Sequence, residues 1–365
     1  MTSTNAPSFS ERRARIRAEL AERTNSFTEL AKAVRSEGLS GRTRGFYFAL
    51  LGGLVVALAG AIAGVVLLGE SWFQLLIAAA LGVIFTQLAF VGHEAAHRQV
   101  LTTGPANDRL GRIVATVGVG MSYSWWMNKH SRHHGNPNKV GKDPDIALGA
   151  LAFTRDDAAK TKGLHAWVVQ RQGWFFLPLL LLAGVDMHRD SIGSLFSRGP
   201  VKGRALELTL IGLRFVLYLG FLFWVLPVGM AFAFLGVQLA VFGVYMASSF
   251  APNHIGMPIV EHGAKLDFLD KQVLTSRNVS GGWWMTALMG GLNYQIEHHL
   301  FPNMPRPHLF RARQLVREHC RKHGVAYTET TLREAWVIVI RYMNEVGIGA
   351  SREFRCPTAG ALGRS

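Results

Sequence analysis

Positive charge is missing from two long stretches of this 365-residue chain. No Lys or Arg lies between Arg44 and Arg98, and none between Arg214 and Lys265. The chain has 39 Lys and Arg and a formal net charge of +15, so the gaps are not a matter of composition and do not suit a soluble surface. Cysteine is also scarce: the two present, Cys320 and Cys356, exclude a disulfide framework. No signal peptide is expected, because the first 40 residues are polar and charged and the first apolar run is too long for a leader core. The positive charge is scattered and no nucleic-acid recognition motif accompanies it, so nucleic acid is not an expected partner. There is no internal repeat.

Apolar residues fill the gaps. Phe46–Leu68, Trp72–Val91, Leu206–Val225 and Gly229–Ser249 are each about 20 residues, the length of helix that crosses a bilayer core of about 30 Å. The expected fold class is an all-α integral membrane protein, with four transmembrane helices in two tight hairpins. The hairpin connectors, GESW at Gly69–Trp72 and LPVG at Leu226–Gly229, lack Lys and Arg, while the other polar segments are rich in them. The positive-inside rule then puts both termini and the long middle segment in the cytoplasm of a cell-membrane protein, where the basic face also meets anionic lipid. Residues 1–44 read as a basic helical arm and residues 45–350 as the membrane domain, with cytoplasmic blocks 98–204 and 251–350 forming a helical cap. Residues 351–365 read as a disordered tail. Ile113–Trp126 and Trp174–Val185 are short for spanning and read as interfacial or re-entrant helices.

Eight of the 14 histidines fall in four places. His93 and His97 stand in HEAAH, His130, His133 and His134 in HSRHH, and His298 and His299 in QIEHH, where Gln295 holds the first position of the same i, i+3, i+4 pattern. His254 follows the fourth apolar run in PNHIG. Helical spacing sets each group on one face, and the inferred topology gathers all four at the cytoplasmic edge of the membrane. Eight imidazoles and one amide are too many for one ion and suit two. Imidazole-only sites favour Fe, Zn, Cu or Ni over Mg or Ca. His165, His188, His262, His308, His319 and His323 read as ordinary packed or surface residues.

HEAAH by itself also matches the zinc-protease pattern, with Glu94 as general base. An intramembrane protease would place an aspartate in another membrane helix. The third and fourth runs contain no Asp, and their only Glu is Glu207; Asp267 and Asp270 lie in a polar segment. A protease also leaves HSRHH and QIEHH without a task. An O2-activating dimetal site uses all four groups, and its apolar substrate would enter from the bilayer.

The three boxes, with SWWMNKHSRHHGNPNKVGKDPDI and GLNYQIEHHLFPNMPR around them, resemble the membrane fatty acid desaturases. They are most similar to the front-end and linoleoyl-CoA desaturase-like branch, in which Gln stands for the first His of the third box. The resemblance runs from about Phe46 to Val346. It implies two Fe ions, O2 as co-substrate and a cis double bond cut into an acyl chain carried on CoA, acyl carrier protein or a lipid. The implied ligands are His93, His97, His130, His133, His134, His254, His298 and His299, with Gln295 as a ninth ligand or an outer support. Glu94, Asn136, Asn138, Asp143, Asp145, Asn253 and Glu297 are then expected to orient the ligands. Trp125, Trp126, Trp283 and Trp284 flank the boxes and are candidates to shape a tunnel mouth, or else interfacial belt residues. Many front-end members carry a fused cytochrome b5 with a His-Pro-Gly-Gly signature. That tetrapeptide is absent here, as in a bacterial type without the fusion, so a separate ferredoxin or oxidoreductase is the expected electron donor. Lipid or alkane hydroxylases and carotenoid oxygenases on the same scaffold remain alternatives, as do an intramembrane zinc protease and a metal transporter.

Overall fold

The computed structural model describes residues 26–348. The first half of the expected basic arm and the tail 351–365 lie outside the described residues. Residues 26–36 form helix α1, which buries Leu30 and Val34 against the cap rather than standing apart.

The four apolar runs form α2 (Arg44–Leu68), α3 (Gln74–Ala96), α9 (Arg204–Val225) and α10 (Val228–His254), each long and apolar enough to cross a membrane. α2 and α9 are largely exposed, with Leu67, Val216 and Trp224 uncovered, whereas α3 is half buried within the protein. Uncovered Leu, Val and Trp on such helices suit hydrocarbon rather than water. α3 and α10 outrun their apolar segments. Each extends into polar sequence and delivers histidines at its end.

The second hairpin is looser than expected. α10 packs mainly on α3 and on α8 (Gln172–Leu195), and only lightly on α9. Glycine is the reason. A Cβ at Gly82 would stand 2.8 Å from the Gln238 carbonyl of α10, and one at Gly243 of α10 would stand 2.4 Å from the Gly184 amide nitrogen of α8. Both crossings bring backbones into contact, as small residues allow between membrane helices.

Between α3 and α8 the chain runs through α4 (Gly104–Ile113), a π-helical turn over Val114–Val119, α5 (Tyr123–Gly135), α6 (Arg155–Lys160) and α7 (Gly163–Val169). Thr103 caps α4 and Ser122 caps α5 through their hydroxyls. Ile113–Trp126 is therefore not one helix. It breaks at Gly120, which ends the π turn at φ 93°. α7 and α8 bend by 101° at their junction, as a re-entrant segment would.

The remainder of the cap is α11 (Phe268–Leu274), α12 (Trp283–Leu288), α13 (Gln295–Leu300), α14 (Leu309–Lys322) and α15 (Leu332–Ile348). Among the described residues the helices are joined by a short parallel pair of strands, β1 (Asn278–Ser280) and β2 (Glu329–Thr331). Gly290 and Gly291, at φ 60° and 84°, turn the chain into α13. A Cβ at Gly290 would stand 2.4 Å from the Phe90 ring of α3. The third histidine box reaches the first only because glycine stands there.

Candidate metal centre

α3 ends on the first box: His93 lies in its last turn and His97 is its C-cap. α5 carries the second box, His254 is the last residue of α10, and α13 carries the third. These four elements converge, and their imidazoles sort into two clusters. His93, His97, His130, His134 and His298 form one; His133, His254 and His299 form the other, with each cluster's ligand atoms within 4.8 Å of one another. His134 joins them, since its ring stacks on His299 at 4.2 Å.

The three-imidazole cluster is braced from outside. His133 donates through Nδ1 to both oxygens of buried Asp143, at 3.1 and 3.0 Å, and Asp145 lies 3.3 Å away. His254 donates through Nδ1 to the Thr275 carbonyl at 3.0 Å, and His299 through Nδ1 to Gln272 Oε1 at 2.9 Å. Each donation puts the ring proton on Nδ1 and the lone pair on Nε2, the usual device for setting an imidazole tautomer. Gln295 donates from Nε2 to His254 Nε2 at 2.9 Å and accepts from Asn253 through Oε1 at 3.1 Å, so its amide stands at this cluster's edge.

The five-imidazole cluster holds no such braces. Among the described residues, no carboxylate or carbonyl accepts from a ring nitrogen of its five histidines. Its nitrogens face one another: Nε2 of His97 and His130 lie 2.6 Å apart, and Nε2 of His134 and His298 lie 3.0 Å apart. Burial holds His97 down to about pKa 3, and burial and crowding by neighbouring imidazoles hold His130, His134 and His298 well below the usual histidine range. These rings are neutral at physiological pH, the form that ligates metal. His133 runs the other way: burial opposes its charge, but the hydrogen bond to Asp143 and the Asp145 and Asp143 charges outweigh it.

Both nitrogens of His93, and Nε2 of His299, are buried without a hydrogen-bond partner. Orphaned buried nitrogens in an all-imidazole setting fit a bound transition metal.

The other expected supports take varied places. Asn253 is buried and donates to the Ser249 and Leu292 carbonyls as well as to Gln295. Asn138, at φ 52°, donates through its backbone N–H to Asp143 and through its amide to the His254 carbonyl. Asn136 is the C-cap of α5 and Asp145 pairs with Lys129. Glu94 and Glu297 touch no imidazole. Both oxygens of Glu94 accept from Arg306, at 2.8 and 2.7 Å, and Tyr47 donates to it at 3.2 Å. A carboxylate so committed is not a free general base, which removes the main support for a zinc protease. Glu297 faces the strand pair, accepting from Tyr327 and Asn278, and burial pushes its carboxyl up to about 7.

A cavity of about 260 Å³ opens against the centre. Its apolar wall includes Met121, Ala183, Met246, Ala247, Phe250 and Ile259, and its polar end holds His130, His133, His254 and Gln295. Trp125 and Trp126 line it, and Trp126 stacks on His130 at 4.2 Å. Trp283 and Trp284 do not: both are exposed on α12, 83% and 52%. Sequence reasoning missed Gln272, Thr275, Arg306 and Tyr47. None lies in a histidine box, and nothing in local spacing announces them.

The fatty acid desaturase family profile matches residues 70–331, a span holding all the boxes. The Delta(8)-fatty-acid desaturase 2 of Arabidopsis thaliana is 30% identical over 309 residues, covering 81% of this chain and 68% of that one. The acyl-lipid (9-3)-desaturase of Borago officinalis is 27% identical over 345 residues, 91% of this chain and 77% of that one. The Delta(6)-fatty-acid desaturase fat-3 of Caenorhabditis elegans is 29% identical over 262 residues, 68% of this chain and 59% of that one. A match across that much of the chain, with the boxes assembled within it, makes this protein a member of the fatty acid desaturase family of oxidoreductases, in its front-end branch.

Proposed function

We propose that the chain inserts a cis double bond into an acyl chain lying in the cavity, using two irons held by the two imidazole clusters. Five imidazoles would hold one ion, and His133, His254 and His299, with Gln295 at the edge, the other. Bound iron would supply reductive activation of O2 and removal of hydrogen from an unactivated methylene, which acid–base side chains cannot achieve. The protein's own part is placement. The apolar wall excludes water and holds the acyl methylenes against the polar end, and the braces on His133, His254 and His299 keep their lone pairs aimed at one point. The carboxyl end, bound to CoA, acyl carrier protein or a lipid, is too polar for the apolar wall and stays outside it. The positive-inside charge pattern supports a cytoplasmic metal centre and cytoplasmic termini, and the electrons come from a separate carrier such as a ferredoxin or an oxidoreductase.

One observation carries the reading: eight imidazoles, two of them with orphaned buried nitrogens, converge in two clusters, and three of the eight line the polar end of an apolar cavity. The test is production in a host with a reduced carrier, followed by chromatography of the cellular acyl chains with double-bond localisation. Products lighter by two hydrogens are expected. Products heavier by one oxygen would instead establish a hydroxylase on the same scaffold.

A further inference from the structure

Three residues on the outer side of the metal centre each stand next to a lysine. Asp143, which holds His133, follows Lys142. Asn138, which holds the His254 carbonyl, precedes Lys139. Gln272, which accepts from His299 Nδ1 and donates to the His134 carbonyl at 3.0 Å, follows Lys271. Each lysine is thus the chain neighbour of a residue that hydrogen-bonds to an imidazole or to the backbone beside one.

The lysines also gather into one patch. Lys271 donates to the carbonyl of Gly135, directly after His134, at 2.8 Å, and Lys139 to the Ala264 carbonyl at 3.3 Å. Lys142 is exposed. The charges acting on Lys271 are those of Lys139 and Lys142, which, after its partial burial, hold its ammonium below the usual lysine range. Among the described residues none of the three is ion-paired. The same loops carry Glu261, which is exposed, and Asp267, which caps α11.

The arginine-rich face of α14 differs. There Arg311 pairs with Glu37, Arg313 with Glu329 and Lys322 with Glu29, so much of its charge is already neutralised. Like charges held together without counter-ions repel one another, and an anionic partner relieves that cost.

We propose that Lys139, Lys142 and Lys271 form the landing face for the acidic side of a soluble electron carrier, with Gln272 as the inward contact to His134 and His299. The proposal rests on the desaturase reading, whose chemistry needs a source of two electrons. Each double bond needs two electrons. Two carrier molecules are each oxidised by one electron; with two protons and the two hydrogens taken from the acyl chain, these reduce O2 to two waters. An anionic bilayer is the weaker occupant, because none of the three lysines lies on a candidate spanning helix.

The test is binding, which does not depend on turnover. The full chain in zwitterionic phosphatidylcholine nanodiscs is titrated with an acidic [2Fe–2S] ferredoxin and with an acidic cytochrome b5 domain. At low salt, Lys142→Glu and the double variant Lys139→Glu/Lys142→Glu should weaken binding of at least one carrier by about tenfold or more. The difference should shrink at high salt, with bound metal unchanged. If Lys142→Glu fails to fold, Lys142→Gln removes only the charge and should show a smaller loss of the same sign. The proposal is overturned if wild type binds neither carrier, if binding is indifferent to these changes, or if the lysines govern only attachment to phosphatidylserine vesicles. Dithionite-driven turnover of wild type separates the two claims. A lack of double bonds there sinks the desaturase reading, while the binding data still judge the surface.

Discussion

The two imidazole clusters solve one problem in opposite ways. His133, His254 and His299 are each held from behind, by Asp143, the Thr275 carbonyl and Gln272, so their Nε2 lone pairs are aimed before any ion arrives, that of His254 towards the Gln295 amide. His93, His97, His130, His134 and His298 are held by packing, ring against ring, with their nitrogens crowded on one another. Their support sits a layer further out, where the Glu94–Arg306 ion pair ties the first box to the segment after the third. The braced cluster borders the cavity through His133 and His254; of the crowded cluster only His130 does. Rigid aim is thus concentrated where the substrate would lie, and the crowded cluster depends on the fold as a whole.

Four changes would break or sharpen this contrast. The largest effect is expected from His134→Ala, because His134 belongs to the crowded cluster and stacks on His299 of the braced one. Bound metal and double-bond formation should both fall to background, by elemental analysis and product chromatography; full metal content would remove His134 from the centre.

Next is Glu94→Ala. It strands the buried Arg306 guanidinium, a loss of about 3–5 kcal/mol when one partner of a buried pair is removed. Thermal melting in detergent should drop markedly, with activity falling in proportion to folded protein. Lost chemistry with unchanged melting would give Glu94 a direct role and revive the protease reading.

Asp143→Asn tests the braces. It should weaken binding of one of the two ions by about 10–100-fold and spare the other, by stepwise metal titration. Equal loss of both would show that the clusters do not act separately.

The smallest effect is expected from Ala247→Leu, two helical turns before His254 on the cavity wall. It should disfavour longer acyl chains by about 1–3 kcal/mol per excluded methylene with metal content unchanged. An unaltered chain-length preference would mean that the acyl tail does not pass Ala247.

Much of this was legible in the sequence. The four apolar runs mark the four long helices to within a few residues at most ends, and the i, i+3, i+4 spacings place His130, His133 and His134 together on α5. The end of α10 was harder to read. Apolarity stops near Ser249, but the helix continues through Ala251 to His254 despite Pro252, because hydrogen bonding and packing, not hydropathy, decide where a helix ends. The same limit applies to Trp283 and Trp284: they neighbour the third box in sequence, yet α12 turns them outward.

What the sequence by itself determined is the local inventory: spans long enough for a bilayer, boxes with ligand spacing, and too many imidazoles for one ion. Apolar length and helical periodicity are properties of neighbouring residues and need no fold to be seen. Only the tertiary structure decided that the histidines divide five and three, that Glu94 answers to Arg306 rather than to an imidazole, and that Gln272 braces His299. Those contacts join residues 212 and 27 positions apart. They exist because glycines at 82, 184, 243, 290 and 291 let backbones approach closely enough for distant side chains to meet.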